Sequence, residues 1–346
     1  MPLRHHPSLI ILIGAVLAAF LAACGGTSQA TPSAATAPGT AASSSQQGTA
    51  DSGKGTIKLI ANDWVGSEVN VAVASYLLQN KLGYSTQILN VNENEQWALL
   101  AKGDAYASLE VWPSGHEKEI QSYIETAKTV QRGSSLGVVG KIGWYVPTYV
   151  VQAHPELATW KGFADPKNAA LFATDKTNVG SGQFLAGDPS WAQYDGDIIH
   201  NLGLSLQVVR VADVKNAESE ILSQLDAAYK QQKPILFYFW TPHWAYITYD
   251  LTEVNLPPYS ADCYAKAAAG GVACDYPADA LFKIYWPGLK AAAPQAYQFL
   301  ENFHYTNQDQ IAMLAMVQLD KKTPQEAALT WINAHPDVWN KWLPQS

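Results

Sequence analysis

Thr56-Ile57-Lys58-Leu59-Ile60-Ala61-Asn62-Asp63-Trp64-Val65-Gly66-Ser67 is the stretch on which the fold turns. Its first six residues read as a strand, and Asn62 to Gly66 as the turn that ends it. Ser67 is placed to cap a helix running through Tyr76 and Leu82, which Gly83 stops. Ser85 to Val91 returns as a strand, Glu95 to Lys102 forms a short helix ended by Gly103, and Ala105 to Val111 is a third strand. Strand, helix, strand, helix, strand is the pattern of a parallel α/β sheet.

Further along, Leu136 to Tyr149 is rich in β-branched residues and leaves this first lobe near Pro147. A second α/β run follows. It has helical stretches near Pro155–Gly162, Ala169 and Ile198–Leu202, a strand at Gln207–Val211, a helix at Ala217–Gln231 and a strand at Ile235–Phe239. The last hundred or so residues read as mostly helical, with amphipathic segments at Ala291–Phe303, Asn307–Gln318 and Pro324–Ala334. The expected organisation is one lobe from residues 55–146 and 250–346 and a second from 147–249. A chain that crosses between two α/β lobes more than once suits a hinged clamshell.

Composition narrows the function. The chain has 346 residues, 22 Lys+Arg against 30 Asp+Glu, 48% hydrophobic residues and only 15% charged. Such a chain buries a sizeable core and is not disordered throughout. No Lys/Arg-rich stretch offers a footprint for phosphates, which argues against nucleic acid. Twelve Trp is the unusual count, and it raises the question of what those rings face.

The N-terminus reads as an address. Arg4 precedes an apolar run from Leu9 to Ala23, too short for a comfortable membrane span, so residues 1–23 read as a signal peptide. The run ends Leu21-Ala22-Ala23-Cys24, which resembles the bacterial lipobox and implies lipidation of Cys24. Gly25 to Lys54 is Ser-, Thr-, Ala-, Gly- and Gln-rich, with almost no large apolar residue, and reads as a flexible tether. The protein is therefore expected at the extracytoplasmic face of a bacterial cell membrane, where Cys263 and Cys274 can form a disulfide.

Signatures of catalysis are missing. There is no Gly-x-Ser-x-Gly elbow, phosphate loop or His-Glu-x-x-His. Of the histidines beyond the leader (His116, His154, His200, His243, His304 and His335), none pairs with another at metal-ligand spacing. No cofactor or metal is implied.

The informative tryptophans stand in loops that follow strands. Trp64 follows the first strand and Trp112 the third, in Leu109-Glu110-Val111-Trp112-Pro113. Trp191 lies in the turn-rich Gly187-Asp188-Pro189-Ser190-Trp191, and Trp240 in Tyr238-Phe239-Trp240-Thr241-Pro242-His243-Trp244. Ligands of open α/β sheets bind outside the carboxyl ends of the strands. A quaternary ammonium has no N–H to donate, so indole faces attract it where a carboxylate cannot hydrogen-bond it. Each such contact contributes roughly 0.5–2 kcal/mol. Trp97, Trp160, Trp286, Trp331, Trp339 and Trp342 fall in helical or terminal segments and read as packing, with Trp144 near the hinge and Trp244 behind Trp240.

From Gly55 onward the chain resembles the substrate-binding proteins of ABC importers for glycine betaine, proline betaine and related quaternary amines. The residues that carry the likeness are Tyr238 to Trp244, Trp112-Pro113 and the Trp191 loop, in matching order. The resemblance implies a two-lobed α/β clamshell of the type II periplasmic-binding-protein kind, with the ligand cation boxed by Trp112, Trp191 and Trp240. It implies that backbone N–H groups at Ala192 and Gln193, with the His243 side chain, hold a ligand carboxylate. In other members the loop after the first strand does so, which here is Val65 and Gly66 beside Trp64. It further implies a permease and its ATPase as partners. Some members flank the middle Trp with a disulfide, but no Cys stands near Trp191.

Glu110 is two residues before Trp112 and shares its side of the strand. There it either favours a net cation such as choline, or sits in an ion pair or in solvent. A receptor for choline or carnitine is the alternative within the class. A secreted carbohydrate-active hydrolase, with Trp as stacking platforms, is the alternative from another class.

Overall fold

In a computed structural model, residues 53–191 and 193–345 are described. The leader, Cys24 and the tether as far as residue 52 lie outside the described residues, as does Ala192. Strand β1 (Thr56–Ala61) leads into helix α1 (Val65–Asn80). The helix begins two residues before Ser67. Trp64, in extended conformation, takes the cap position, and the Ser67 hydroxyl accepts the Asn62 N–H at 3.0 Å. Strand β2 (Ser85–Asn90) lies parallel to β1 over its full length. Helix α2 (Glu95–Lys102) ends at Gly103, whose φ of 76° is the left-handed conformation that glycine adopts without penalty. Strand β3 (Ala107–Val111) is buried throughout and runs parallel to β1 on its other side.

The long strand β4 (Gln131–Pro147) joins the two halves of the molecule. Its earlier part pairs antiparallel with β9 (Ala278–Tyr285), which in turn pairs antiparallel with β3. Its later part pairs antiparallel with β7 (Phe237–Thr241). Beyond β7 lie β5 (Gly182–Ala186) and β6 (Leu206–Arg210), both in parallel pairing. The short β8 (Leu251–Glu253) completes a nine-stranded sheet of order β2-β1-β3-β9-β4-β7-β5-β6, with β8 on β4. Helix α3 (Asp195–Asn201) and helix α4 (Ala217–Lys230) accompany the β5–β7 end. Helices α5 (Pro294–Asn302), α6 (Asn307–Gln318) and α7 (Pro324–Ala334) follow β9. The fold is mixed α/β, two-lobed around a central sheet.

Lys141 pairs with both Thr241 and Ala278, so β4 exchanges one half for the other there, several residues before position 147. The return is later than residue 250. Val254 N–H donates to Trp144, Trp160 N–H to Asn255, and Asn201 to Gly270 and Val272, so the 251–276 segment stays with the second half until β9. Cys263 and Cys274 are disulfide-bonded within that segment, with Cα atoms 6.5 Å apart. No helix among the described residues is long and apolar enough to cross a membrane.

Helices α6 and α7 begin at capping boxes, Thr306 with Asp309 and Thr323 with Glu326. Both helices pack on α1. Trp331 of α7 is wholly buried, donates to Asp309 at 3.0 Å and stacks on His335 and Trp342. Trp331→Ala removes a large buried ring and an indole donor together. The expected loss of stability is about 3–5 kcal/mol, read as a lower guanidinium midpoint at unchanged slope.

Candidate functional site

The carboxyl ends of the strands converge on one hollow. After β1 comes Trp64, after β2 Glu93, after β3 Trp112, after β5 Trp191, and at the end of β7 Trp240. These residues, with Ile142 of β4 and Tyr238 of β7, line one small hollow of about 30 Å³. Each of the four indoles is less than 10% exposed. Trp191 stands edge-on to Trp240, with ring centroids 5.3 Å apart and planes at 82°. Tyr238 closes the corner at 5.9 Å from Trp191.

Two glycines make room for the rings. A Cβ at Gly140 would lie 2.3 Å from Cη2 of Trp112, and one at Gly187 would lie 2.3 Å from Cζ3 of Trp191. Trp112 and Trp191 therefore lie against bare backbone, where any side chain would displace them.

The polar edges of three of the rings are spent on protein carboxylates. Trp64 Nε1 donates to Glu110 Oε1 at 2.7 Å, and Trp112 Nε1 donates to the same oxygen at 3.0 Å. Asn70 and Gln310 donate to Oε2. Glu110 is thus neither ion-paired nor solvated, and it does not line the hollow. It stands behind two indoles and fixes them. Burial raises its pKa to about 6 against the pull of its donors, of which Trp112 and Trp64 are the strongest. Trp191 Nε1 lies 3.5 Å from Asp63 Oδ1. Asp63 is itself raised to about 6, by burial first and by the neighbouring charge of Asp188 second.

The other residues singled out in the sequence are placed as follows. His243 is buried edge-on to Trp240 at 5.4 Å. Its Nδ1 accepts the Ala245 N–H, so Nε2 carries the hydrogen and faces Glu218 Oε1 at 3.0 Å. The other oxygen of Glu218 accepts the Val65 N–H at 2.9 Å. Two of the donors expected to hold a ligand carboxylate, His243 and Val65, are engaged by Glu218. A Cβ at Gly66 would meet Gln310 and Glu110. Gln193 braces the Trp191 loop: its amide donates to Asp188 O and its carbonyl accepts from Arg210, which also reaches Gly187 O. Asp188 Oδ1 accepts the Ser190 N–H. Hydrogen bonds hold this loop where no cysteine is at hand. Trp144 is fully buried and donates to Asp195, and Trp97, Trp331 and Trp342 are wholly core.

Glu93 and Glu218 were not singled out in the sequence. Glu93 is 2% exposed and its Oε2 is 3.0 Å from His116 Nε2. Burial alone would lower the His116 pKa, but the charge of Glu93, aided by Glu119, outweighs it and raises the pKa to about 10. Glu93 Oε1 has no hydrogen-bond partner among the described residues. No group of three His, Cys, Asp or Glu among the described residues could hold a metal ion.

A family model described as the substrate-binding domain of ABC-type glycine betaine transport systems matches residues 55–334. The chain belongs to this family. It is a family of solute-binding proteins, not enzymes. The trimethylamine N-oxide-binding protein of Pelagibacter ubique is 26% identical over 299 residues, 84% of this chain and 91% of that protein. The glycine betaine/carnitine transport binding protein of Listeria monocytogenes is 33% identical over 127 residues, 37% of each. Lactococcal OpuAC, closed and complexed with glycine betaine, superposes at a TM-score of 0.64 and 21% identity, covering 84% of this chain and 99% of that one. An ABC-transporter choline-binding protein in complex with choline superposes at 0.66 and 19%, covering 83% and 91%. These two likenesses are of fold.

Glu110→Gln sets an amide donor against four donors from Trp64, Trp112, Asn70 and Gln310. At least one buried N–H then loses its acceptor, at a cost of about 1–3 kcal/mol. A lower melting temperature together with a changed tryptophan emission spectrum is the expected outcome.

Proposed function

We propose that this protein is the extracytoplasmic, lipid-anchored receptor of an ABC importer and that it captures a small methylated ammonium solute, of the class that includes glycine betaine and choline, in its tryptophan hollow. One observation carries the reading. Four indoles from both halves of the sheet surround a single space, and the N–H edges of Trp64 and Trp112 are turned onto the buried Glu110 and that of Trp191 onto the half-buried Asp63. What these three rings can offer the space is ring face, the part of an indole that attracts a cation lacking donors. Names borne by the relatives, with glycine betaine, carnitine, trimethylamine N-oxide and choline as their ligands, support this class.

Capture involves closure of two lobes, one built on β1–β3 and α5–α7, the other on β5–β7. Trp64 and Trp112 come from the first, Trp191 and Trp240 from the second, so the box is complete only when the lobes meet. The Val65–Glu218 and Tyr194–Glu117 bonds span the same divide. The closed form is then what a permease and its ATPase would read. Lipid on Cys24 and the tether of residues 25–54 would keep the receptor at the membrane. A carbohydrate-active hydrolase is set aside by the family, whose members bind solutes.

Calorimetry of the purified protein against glycine betaine, choline and carnitine, with glucose as control, tests the class. Binding of the amines without turnover and no heat with glucose is expected. Trp112→Ala and Trp240→Ala should each weaken binding by tenfold or more, about 1.4 kcal/mol. Amine affinity unaffected by both substitutions would sink the reading.

Closure brings Asp63 beside Asp188. The closed-state pKa of Asp63 lies above its ordinary value, so closure is favoured when Asp63 is protonated, and that advantage is lost as pH rises through about 6. Asp63→Asn cannot ionise. It should tighten ligand binding severalfold at neutral pH, by a margin that shrinks as the titration is repeated at lower pH.

A further inference from the structure

A ligand with a carboxylate needs hydrogen-bond donors near the cage, and two of those expected there, Val65 N–H and His243 Nε2–H, are already committed to Glu218. Val65 N–H opens helix α1, whose dipole favours an anion at that point. His243 Nε2–H lies beside the edge of Trp240. Between them, one oxygen on each, sits the Glu218 carboxylate, 3% exposed and contributed by α4 from the other half of the sheet. A protein carboxylate thus occupies an anion seat beside the box. Among the described residues that line the hollow there is no Lys or Arg, and the only carboxyl group is that of Glu93, held by His116 through Oε2 and unpartnered at Oε1. A ligand carboxylate placed here would meet like charge from Glu93 within the hollow and from Glu218 at its rim. A hydroxyl would meet a free acceptor.

We infer that the hollow selects a trimethylammonium compound without a carboxylate, Glu218 filling the anion seat from within and Glu93 Oε1 accepting the O–H of the ligand's short polar end. This rests on the cation cage proposed above and narrows its ligand to the hydroxyalkyl ammonium class, of which choline is the simplest probe. Glu218 is a specificity residue that need not touch the ligand. It acts by denying the seat to a second anion.

The test is calorimetry of the purified protein with choline, trimethylamine N-oxide, glycine betaine and tetramethylammonium. The wild-type protein should bind choline about tenfold or more tightly than glycine betaine. Glu218→Ala frees Val65 N–H and His243, so the ratio should move toward glycine betaine by a similar factor. Glu93→Gln should reduce the advantage of choline over tetramethylammonium, which has no hydroxyl. Melting curves identify a variant that has failed to fold, and the wild-type ligand ranking and Glu93→Gln decide the matter if Glu218→Ala is such a variant. Glycine betaine bound more tightly than choline by the wild-type protein, or a ratio unmoved by a folded Glu218→Ala, overturns the inference and leaves the cage standing. Binding of none of the four amines overturns the cage, and the inference with it.

Discussion

The buried carboxylate of Glu110 receives Trp64, Trp112, Asn70 and Gln310, and the geometry of the site follows from that convergence. An indole has one polar edge and two electron-rich faces. Tying the edge to an acceptor outside the hollow leaves only faces within it. The donors come from the cap of α1, the body of α1, the end of β3 and α6, elements far apart in sequence. Holding them on one carboxylate fixes two walls of the box at once. The negative charge behind the rings also adds to the attraction their faces exert on a cation. Burial opposes ionisation of Glu110 and four donors favour it, and a pKa near 6 is the balance reached.

The order of elements in the first lobe is legible because each boundary has a local cause. Gly103 ends α2 in a left-handed conformation, and Asn307–Gln318 and Pro324–Ala334 start at side-chain caps written into the sequence. Ser67 misleads for a local reason as well. Its hydroxyl has a partner in Asn62, so it marks the turn without being the cap. Strands β5 and β9 are not legible. Gly182–Ala186 is buried on both faces and gives no alternation to count. Ala278–Tyr285 lies among helices and carries Lys283, which is fully buried and bonded to the carbonyls of Glu301 and Phe303. A lysine in mid-strand argues for a surface until its partners, which come from a later helix and the residue after it, are seen.

The site divides in the same way. Trp64, Trp112, Trp191 and Trp240 are visible in sequence because loops after strands are where such a sheet binds ligands. Glu93, Glu218, Gly140 and Gly187 are not, since each acts through a residue distant in the chain. Glu218 meets Val65 across 153 positions, and no spacing rule reaches that far. The glycines matter for the side chain they lack, which sequence alone cannot connect to an indole elsewhere.

Carboxylates gather around a hollow with aromatic walls: Asp63, Glu93, Glu110, Asp188 and Glu218 all lie at or just behind it. Burial first and the charge of Asp188 second hold the pKa of Asp63 up, and both costs oppose closure in the absence of ligand. A cation entering the box relieves the charge repulsion, so the same charges that resist an empty closed state favour a filled one. The net charge of −8 acts in the same sense at longer range, drawing cations toward the protein. Indole faces supply the local attraction and the carboxylates supply the difference between the open and closed states. Closure is therefore coupled to the charge of the ligand as well as to its shape.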